Sequence, residues 1–521
     1  MFQKNKWIIL AALSVFYWCS RPVNPESDIP KWKTFYYSQV DELFYTIGAF
    51  NIISKPGSAY AEVAQNDFMP VNLFEDVVTA ASLSLFGDNY IGLRFPSMLM
   101  GYFVLVLVFL LFEKRFGGKG ALIAAALLLL DVGFLLSNRI AEPTIFRLAG
   151  MLAVIYFLQR MLDKAVTAGQ FFFAGFLGCF AFLFFYPTNF FIAPATFIFL
   201  LLLFIHKKKA GTINYSYWGY YFLSSLICFA IFLFISKLVM GNLDRFSNMA
   251  DFSGRVAVTG EKPIFTTLKG FASNIYALKD ASFFFFNPYM LGLAVVTGGY
   301  FIYAAFTAFY KTGQLTIDQV VLIFLLMFLC QTVFINDYPR KKLLMFFPFV
   351  IYSLVYGIDT MQKKYSGSIL VKYAYLVTVP VLAASVYFQF KFVYSKPTFH
   401  YKKAMLSLKK YDGKIIAGNL AYAFRLYNHY TPLLNYYAYK YHNYDEHQRI
   451  LRLLSTDKNF AGSIYDEGQK YIKELKKVNL CPAEPILPLN PNFPALPVYM
   501  GAPCTVDTGN VHNLNNGIIQ K

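Results

Sequence analysis

The chain has 521 residues, of which 57% are apolar and only 15% are charged. Soluble globular proteins carry about a quarter charged residues, so this composition excludes an ordinary soluble protein and indicates one that resides in lipid. The formal net charge of +18 would indicate nucleic-acid binding in a soluble chain, but here the basic residues flank apolar segments, and no nucleic-acid partner is expected.

A helix that spans a bilayer needs roughly 20 predominantly apolar residues. Hydropathy predicts about eleven such helices, near residues 6–19, 90–112, 120–137, 144–162, 170–186, 188–205, 218–239, 288–310, 318–335, 342–358 and 373–390. The expected fold class is therefore an all-α polytopic membrane protein as far as residue 390.

The basic residues beside these helices predict how the chain is oriented. Most of them fall on one side of the membrane: Lys4, Lys6, Lys114, Arg115, Lys119, Lys207, Lys208, Lys209, Lys363 and Lys364. The positive-inside rule makes that side cytoplasmic, with the N-terminus inside and the C-terminus outside. The first helix begins like a signal peptide, but no small-residue cleavage site follows it, so an uncleaved anchor is expected.

Three stretches are predicted to lie outside the membrane, at residues 21–89, at residues 241–287 and after Phe390. Within the first, amphipathic helices are expected at Asp41–Asn51 and from Asn72 to Leu85. The predicted division is a membrane module over residues 1–390 and a soluble extracytoplasmic domain over residues 391–521.

The second domain is expected to be a small α/β domain, because Tyr, Asn and Lys replace Leu and Phe there. A strand is predicted at Lys414–Ala417 and a helix at Tyr465–Lys477, while the Pro-rich Cys481–Pro497 favours a loop or extended chain. An exported domain permits a disulfide between Cys481 and Cys504, and the alternative of two free thiols stays open.

Four acidic residues are candidates for chemistry. Asp41 and Glu42 open the first outer helix, where a carboxylate can act as a general base, although acids also favour helix N-termini for electrostatic reasons. Glu142 lies in a short outer turn before Pro143, which is also a common way to begin a helix. Asp131 interrupts an apolar run, and an ionisable residue at that depth usually faces a cavity or a partner.

Basic residues on the predicted outer side are exceptions to the orientation rule. They are Lys55, Arg94, Arg139, Arg340, Lys341 and Lys342. Such side chains can bind a phosphate whose lipid tail remains in the bilayer. The alternative is contact with anionic lipid headgroups by long side chains that reach out of the membrane.

Several short motifs follow one another on the predicted outer side. They are Asp41-Glu42, Leu85-Phe86-Gly87-Asp88, Gly92-Leu93-Arg94-Phe95-Pro96-Ser97, Ser137-Asn138-Arg139 with Glu142, and Asp337-Tyr338-Pro339-Arg340 followed by Phe347-Pro348. In this order they resemble the GT-C superfamily of integral-membrane glycosyltransferases, in particular the branch of protein O-mannosyltransferases and the lipid A aminoarabinose transferase. The chain departs from the family at Asp67–Asn72, where members often have Lys-Pro-Pro or His-Pro-Pro, and at Glu142, where Asp is usual.

The resemblance implies transfer of a sugar from a polyprenyl-phosphate donor to an acceptor hydroxyl on a protein, lipid or glycan, with inversion, at the outer face of a bacterial inner membrane. It implies Asp41 as general base, Glu42 and Glu142 as orienting acids, and the outer cations, with Asp131 nearby, as the donor-phosphate site. A divalent cation at Asp41 and Glu42 stays open, and no other cofactor is expected. Two alternatives remain, a flippase or transporter of lipid-linked saccharides and a non-catalytic scaffold of the same fold.

Overall fold

The structure is a computed structural model. It describes residues 6–28, 47–53, 73–141, 143–162, 165–184, 191–209, 213–240, 288–334, 344–365, 373–394, 397, 399–417, 426–428, 431–433, 460–466, 480–487 and 498–503. The chain divides into two compact units, one formed by Met1–Ala61 and Met69–Phe399 and the other by Glu62–Phe68 and His400–Lys521.

The first unit is helical throughout its described part. Its helices are α1 Lys6–Ser20, α2 Ile47–Ile53, α3 Leu73–Phe86, α4 Tyr90–Leu130, α5 Val132–Asn138, α6 Pro143–Leu162, α7 Ala168–Leu183, α8 Ile192–Lys209, α9 Ser216–Met240, α10 Pro288–Thr312, α11 Ile317–Phe334, α12 Phe347–Lys364 and α13 Val379–Gln389. The last is flanked by a 3₁₀ turn, Ala374–Thr378, and a π turn, Phe390–Tyr394.

Four described segments are long and apolar enough to cross a membrane: Tyr90–Leu130, Pro143–Leu162, Ser216–Ile235 and Leu344–Lys364. Shorter apolar helices, among them Lys6–Ser20 and Ala168–Leu183, accompany them. The helical fold and the membrane character of the chain therefore agree with the sequence, while the number of eleven crossings stays a prediction.

Helix α4 is a hairpin rather than one long rod. Gly117 has φ +72°, in the left-handed region that favours glycine, and interrupts the helix. The Tyr17 hydroxyl donates to the Met98 carbonyl at 2.6 Å, and Arg21, one turn further along the chain, donates to the Leu129 carbonyl at 2.6 Å. In a straight helix those two carbonyls would lie about 46 Å apart, so the chain reverses at Gly117.

The prediction of an unbroken helix over 120–137 is wrong. Asp131 has extended backbone (φ −71°, ψ 132°), which ends α4 at Leu130, and a new helix, α5, begins at Val132. The Asp131 carboxylate oxygen Oδ1 accepts a hydrogen bond from the Phe134 amide at 2.8 Å. This is an N-cap, and a capping side chain satisfies a helix-start amide that has no partner within the helix.

Close helix packing around small residues builds the interior of the first unit. A Cβ at Gly175 in α7 would collide with the Tyr221 carbonyl and the Ser224 hydroxyl of α9, so glycine lets these two helices approach. The Ser225 hydroxyl donates across the same interface to the Gly175 carbonyl at 3.3 Å. Small residues at such contacts are typical of helices packed in membranes, where burial in lipid alone gives no preference for one neighbour.

A charged network joins three helices at the end of the unit that holds the Gly117 reversal. Arg115 in α4 donates through Nε and Nη2 to the two carboxylate oxygens of Asp318 in α11, each at 2.9 Å. The Tyr352 hydroxyl in α12 donates to Asp318 Oδ1 at 2.6 Å. At the same end Lys6, which begins α1, lies 3.4 Å from Glu113.

The second unit contains α14, His400–Ser407, a 3₁₀ turn at Leu408–Tyr411 and five strands: β1 Ile415–Ala417, β2 Thr431–Leu433, β3 Phe460–Asp466, β4 Leu480–Leu487 and β5 Val498–Pro503. Their order in the sheet is β2-β1-β3-β5-β4. The β1 strand pairs in parallel with β2 and β3, while β5 runs antiparallel to β3 and β4.

One expectation for this unit needs correction. The helix predicted at Tyr465–Lys477 does not begin at Tyr465, which lies in β3 opposite Tyr499 of β5. Cys481 lies in β4, so the extended chain, one of the two predicted alternatives, is confirmed there. Pro482 and Pro485 fit this strand because it is at the edge of the sheet. Cys504 lies outside the described residues, and so does the predicted disulfide.

Candidate functional site

Most of the predicted acids and several predicted cations lie outside the described residues: Asp41, Glu42, Lys55, Glu142, Arg340, Lys341 and Lys342. Their roles stay predictions. The structure does place Arg94, Arg139 and Asp131. All three are buried in the first unit.

Arg94 lies one turn into α4 and binds the chain that follows α1. Its Nη1 donates to the carbonyl oxygens of Pro25 at 2.6 Å and Ser27 at 2.9 Å. The guanidinium carbon lies 4.3 Å from the centre of the Tyr90 ring, a cation–π distance. Arg94 therefore fixes the backbone of an outer-loop segment, residues 21–28, which we call the entry segment.

Arg139 follows α5 and binds the same entry segment from the other side. Its Nη2 donates to the carbonyl oxygens of Val23 at 2.7 Å and Asn24 at 2.5 Å, and to the Ser27 hydroxyl at 3.2 Å. Burial, together with repulsion from the positive charge of Arg94, lowers the pKa of Arg139 to about 10. The guanidinium is still protonated at neutral pH.

Two arginines from separate sequence motifs thus meet at one short segment, and Ser27 is shared between them. Arg94 donates a hydrogen bond to the Ser27 carbonyl, and Arg139 donates one to the Ser27 hydroxyl. Because both guanidinium groups lie within hydrogen-bonding distance of Ser27, their positive charges are close together. Two positive charges held side by side create a local field that favours an anion.

Asp131 directly precedes α5. Its Oδ1 is the cap of this helix, and the side chain is fully buried. The seven residues of α5 then lead from Asp131 to Arg139. The carboxylate therefore fixes the start of the helix that Arg139 follows, and its role in a phosphate site stays a prediction.

Arg21 is a functional candidate that the motifs missed. It is the first residue of the entry segment and is fully buried. Its Nη2 donates to the Leu129 carbonyl at 2.6 Å, and its guanidinium lies 5.0 Å from the Tyr17 ring centre. The sequence did contain a signal for Arg21. This residue follows the first predicted helix on the predicted outer side, where the positive-inside rule makes basic residues uncommon.

Two acids at the start of α3 were also missed. Glu75 and Asp76 are both buried in the first turn, although the sequence suggests only ordinary helix-start acids. Their neighbour Phe74 packs against Phe146 near the start of α6, with ring centres 6.3 Å apart. The next residue, Arg147, is fully buried. Glu75 and Asp76 at the start of α3 and Arg147 near the start of α6 are therefore buried ionisable residues. Of these two helices, α6 is the one that begins directly after Glu142.

Within the described ranges, no three His, Cys, Asp or Glu side chains come together as a metal site would require. Asp41 and Glu42, the predicted cation ligands, fall outside those ranges. The divalent cation thus stays a prediction.

Residues 74–235 match the sequence model of the dolichyl-phosphate-mannose-protein mannosyltransferase family. No curated protein matches the chain by sequence. Among solved structures, ArnT from Cupriavidus metallidurans bound to undecaprenyl phosphate has a TM-score of 0.58 at 10% identity, and the alignment covers 95% of this chain and 98% of ArnT.

The oligosaccharyltransferase of Archaeoglobus fulgidus is similar too. Its complex with Zn and sulfate has a TM-score of 0.56 at 14% identity, with 90% of this chain and 69% of that one covered. The same organism's AglB, in complex with an inhibitory peptide and a dolichol-phosphate, has a TM-score of 0.53 at 14% identity, with 97% and 75% covered. At these identities the structural matches establish the fold. Together with the family match, they confirm the predicted resemblance to the GT-C superfamily and the predicted class, a membrane glycosyltransferase of the GT-C type.

Proposed function

We propose that this protein transfers a sugar from a polyprenyl-phosphate donor to an acceptor hydroxyl at the outer face of the membrane, with inversion at the sugar carbon. The observation that carries this proposal is the convergence of Arg94 and Arg139 on the entry segment. It gathers positive charge within the part of the chain that matches a lipid-phosphate-sugar transferase family. Donor phosphate is the anion that this charge would attract.

The proposed chemistry needs one base and a cationic environment. Asp41 accepts the proton of the acceptor hydroxyl while the hydroxyl oxygen bonds to the sugar carbon. At the same time the bond from that carbon to the phosphate oxygen breaks. A phosphate leaving group requires charge neutralisation more than protonation, so arginine and lysine side chains can replace the second acid of a glycosidase. Glu42 and Glu142 orient the acceptor and donor, and Lys55, Arg340, Lys341 and Lys342 complete the phosphate environment.

The comparisons support the donor class without identifying it. ArnT was solved with undecaprenyl phosphate, and AglB with a dolichol-phosphate. Both molecules are polyprenyl-type lipids with a phosphate at the reacting end. A lipid of this kind would keep its tail in the bilayer while its phosphate reaches the arginines.

The distribution of charge supports the proposed orientation. Lys6, Lys114 and Arg115 belong to the end with the Gly117 reversal, whereas Arg94 and Arg139 belong to the opposite end. The positive-inside rule places the lysine-rich end in the cytoplasm. We therefore propose an inner-membrane protein of a bacterium, with the arginine pair and the domain from residue 391 onward outside.

The acceptor is proposed only as a hydroxyl on a protein, lipid or glycan. AglB was solved with an inhibitory peptide, which favours testing peptides first. We also propose that the second unit, in which α14 precedes five strands, is a small α/β domain.

Transfer of labelled sugar from a panel of polyprenyl-phosphate sugars tests the proposal. Asp41→Asn is expected to insert normally and to lose at least 99% of transfer, because removing a general base costs roughly 100-fold or more. Asp359→Asn is the matched control, since Asp359 pairs with the exposed Lys363 at the opposite end, and it is expected to transfer normally.

The outcomes separate the competing functions. Unchanged turnover in Asp41→Asn would reject the base assignment. Movement of intact lipid-linked sugar across reconstituted vesicles, without bond cleavage, would indicate a flippase. Neither transfer nor movement with any donor would leave a non-catalytic scaffold.

A further inference from the structure

Arg21 is a buried cation whose partners come from three helices of the first unit, α1, α4 and α5. Besides the Leu129 carbonyl, its Nη1 contacts the Ser20 hydroxyl at 3.3 Å. The guanidinium lies 5.0 Å from the ring centre of Tyr17 and 5.9 Å from that of Phe134. A fully buried charge with these contacts belongs to the interior of the protein rather than to the lipid surface.

The position of Leu129 explains why a cation is stable there. Because α4 ends at Leu130, the helix itself supplies no backbone amide that could donate a hydrogen bond to the Leu129 carbonyl. The C-terminus of a helix also favours positive charge. The Gln389 side chain of α13 donates to the same carbonyl at 3.2 Å. The break at Asp131 therefore creates the acceptor that Arg21 uses.

Arg21 is also the point where two parts of the candidate site meet. It is the first residue of the entry segment, which Arg94 and Arg139 hold through its carbonyl groups. Its partner Leu129 lies two residues before Asp131, the cap of α5. The Arg21 side chain thus fixes the start of the entry segment next to the N-terminus of α5, the helix that Arg139 follows.

A further contact ties this junction to the end of the helical unit. The Tyr394 hydroxyl donates to the Ser20 carbonyl at 3.0 Å, next to Arg21. The Tyr17 hydroxyl, beneath the Arg21 guanidinium, holds the Met98 carbonyl in the first arm of the α4 hairpin. Movement of Arg21 would therefore be transmitted to α1, to both arms of α4 and to α5.

We propose that Arg21 is a positioning residue, which sets the entry segment, and with it the two arginines Arg94 and Arg139 that bind this segment, relative to α5. The proposal rests on the proposed transferase function, but its first test does not.

The first test measures whether the entry segment is held by Arg21. Ser27→Cys places a thiol at a buried position of the segment. Its reaction with a membrane-impermeant maleimide is followed by peptide mass spectrometry in the full-length protein in detergent. Arg21→Gln is expected to raise the labelling rate at residue 27 by about tenfold or more, as loss of a buried charged hydrogen bond implies.

The matched control is Arg115→Gln, which removes a half-buried arginine beside the Gly117 reversal, at the other end of the helical unit. It is expected to leave the labelling rate at residue 27 within about twofold of the parent, because local opening is confined to the packing unit that is perturbed. Equal rates in the parent and in Arg21→Gln would overturn the proposal whether or not the protein transfers sugar. An equal increase in both variants would overturn it too, since it would indicate general loosening.

The second test distinguishes positioning from donor binding. Arg21→Lys keeps the charge but not the geometry of the guanidinium, and its kcat is expected to fall by about 10- to 100-fold with the donor KM within twofold. Arg115→Lys is expected to retain kcat. A raised donor KM with unchanged kcat in Arg21→Lys would assign Arg21 to the donor instead. If the parent protein transfers nothing, the proposed function fails, and the labelling result alone decides the role of Arg21.

Discussion

Gly101 offers a sharp test of how α1, the first arm of the α4 hairpin and α5 pack together. An alanine Cβ at this position would lie 2.5 Å from the Tyr17 hydroxyl and closer still to the Asn138 side-chain amide. Both neighbours are fully buried, so neither can move into solvent. Overpacking of such a site costs about 1–3 kcal/mol of unfolding free energy, and Gly101→Ala is expected to fall in that range.

The displacement of Asn138 should also reach the candidate site, because Arg139 is the next residue. Gly101→Ala is therefore expected to lower transfer activity as well as the melting temperature. Gly298→Ala in α10 is the control, since a Cβ there meets nothing within 4 Å. That change is expected to leave stability the same or raise it by up to about 1 kcal/mol through helix propensity.

Thermal unfolding of the purified protein in detergent, followed by intrinsic fluorescence, compares the two variants directly. Transfer assays on the same samples then report on Arg139. A Gly101→Ala protein that melts with the parent and transfers normally would refute this account of the packing. It would mean that α4 and α5 do not meet at Gly101.

The other predictions use the same preparations. Asp131→Ala removes the cap of α5 and is expected to cost about 1 kcal/mol of unfolding free energy, measured by thermal unfolding; an unchanged melting temperature would contradict the cap. Asp318→Asn leaves the half-buried Arg115 guanidinium with only the more distant Asp359 carboxylate, at 3.8 Å, and is expected to cost about 3 kcal/mol, whereas Tyr352→Phe should cost about 1 kcal/mol; equal losses would argue against the network. Removal of divalent cations with EDTA is expected to abolish transfer if Asp41 and Glu42 bind a metal ion, with activity restored by Mg²⁺ or Mn²⁺, and full activity in EDTA would reject that site.

The helices were predictable because their signal is simple. An apolar run of sufficient length indicates a helix in lipid whatever its neighbours are, and α4 on either side of Gly117 follows that rule. The outer helix α3 was predictable as well, since Gly87 ends it with φ +84°, a backbone conformation that glycine adopts readily.

The break at Asp131 could not be read in the same way. Hydropathy averages over many residues, so one carboxylate in an apolar run leaves the predicted helix intact. The sequence did mark Asp131 as costly, and the expected explanation was a ligand or a buried network. Helix capping is a third explanation for a carboxylate at this position. It could be recognised only from the structure, in which the Phe134 amide donates to the Asp131 carboxylate.

Two basic residues of the predicted outer side, Arg94 and Arg139, meet at the entry segment, and their role in a donor site stays a prediction. Arg21, Arg94 and Arg139 are all buried, and each donates to backbone carbonyl groups. Lys237, near the same predicted face, is exposed. The difference follows from the side chains, since a guanidinium is weakly hydrated and presents several donors in a fixed plane, whereas an ammonium group stays hydrated. An arginine that violates the positive-inside rule is thus better evidence for a built interior site than a lysine that does so.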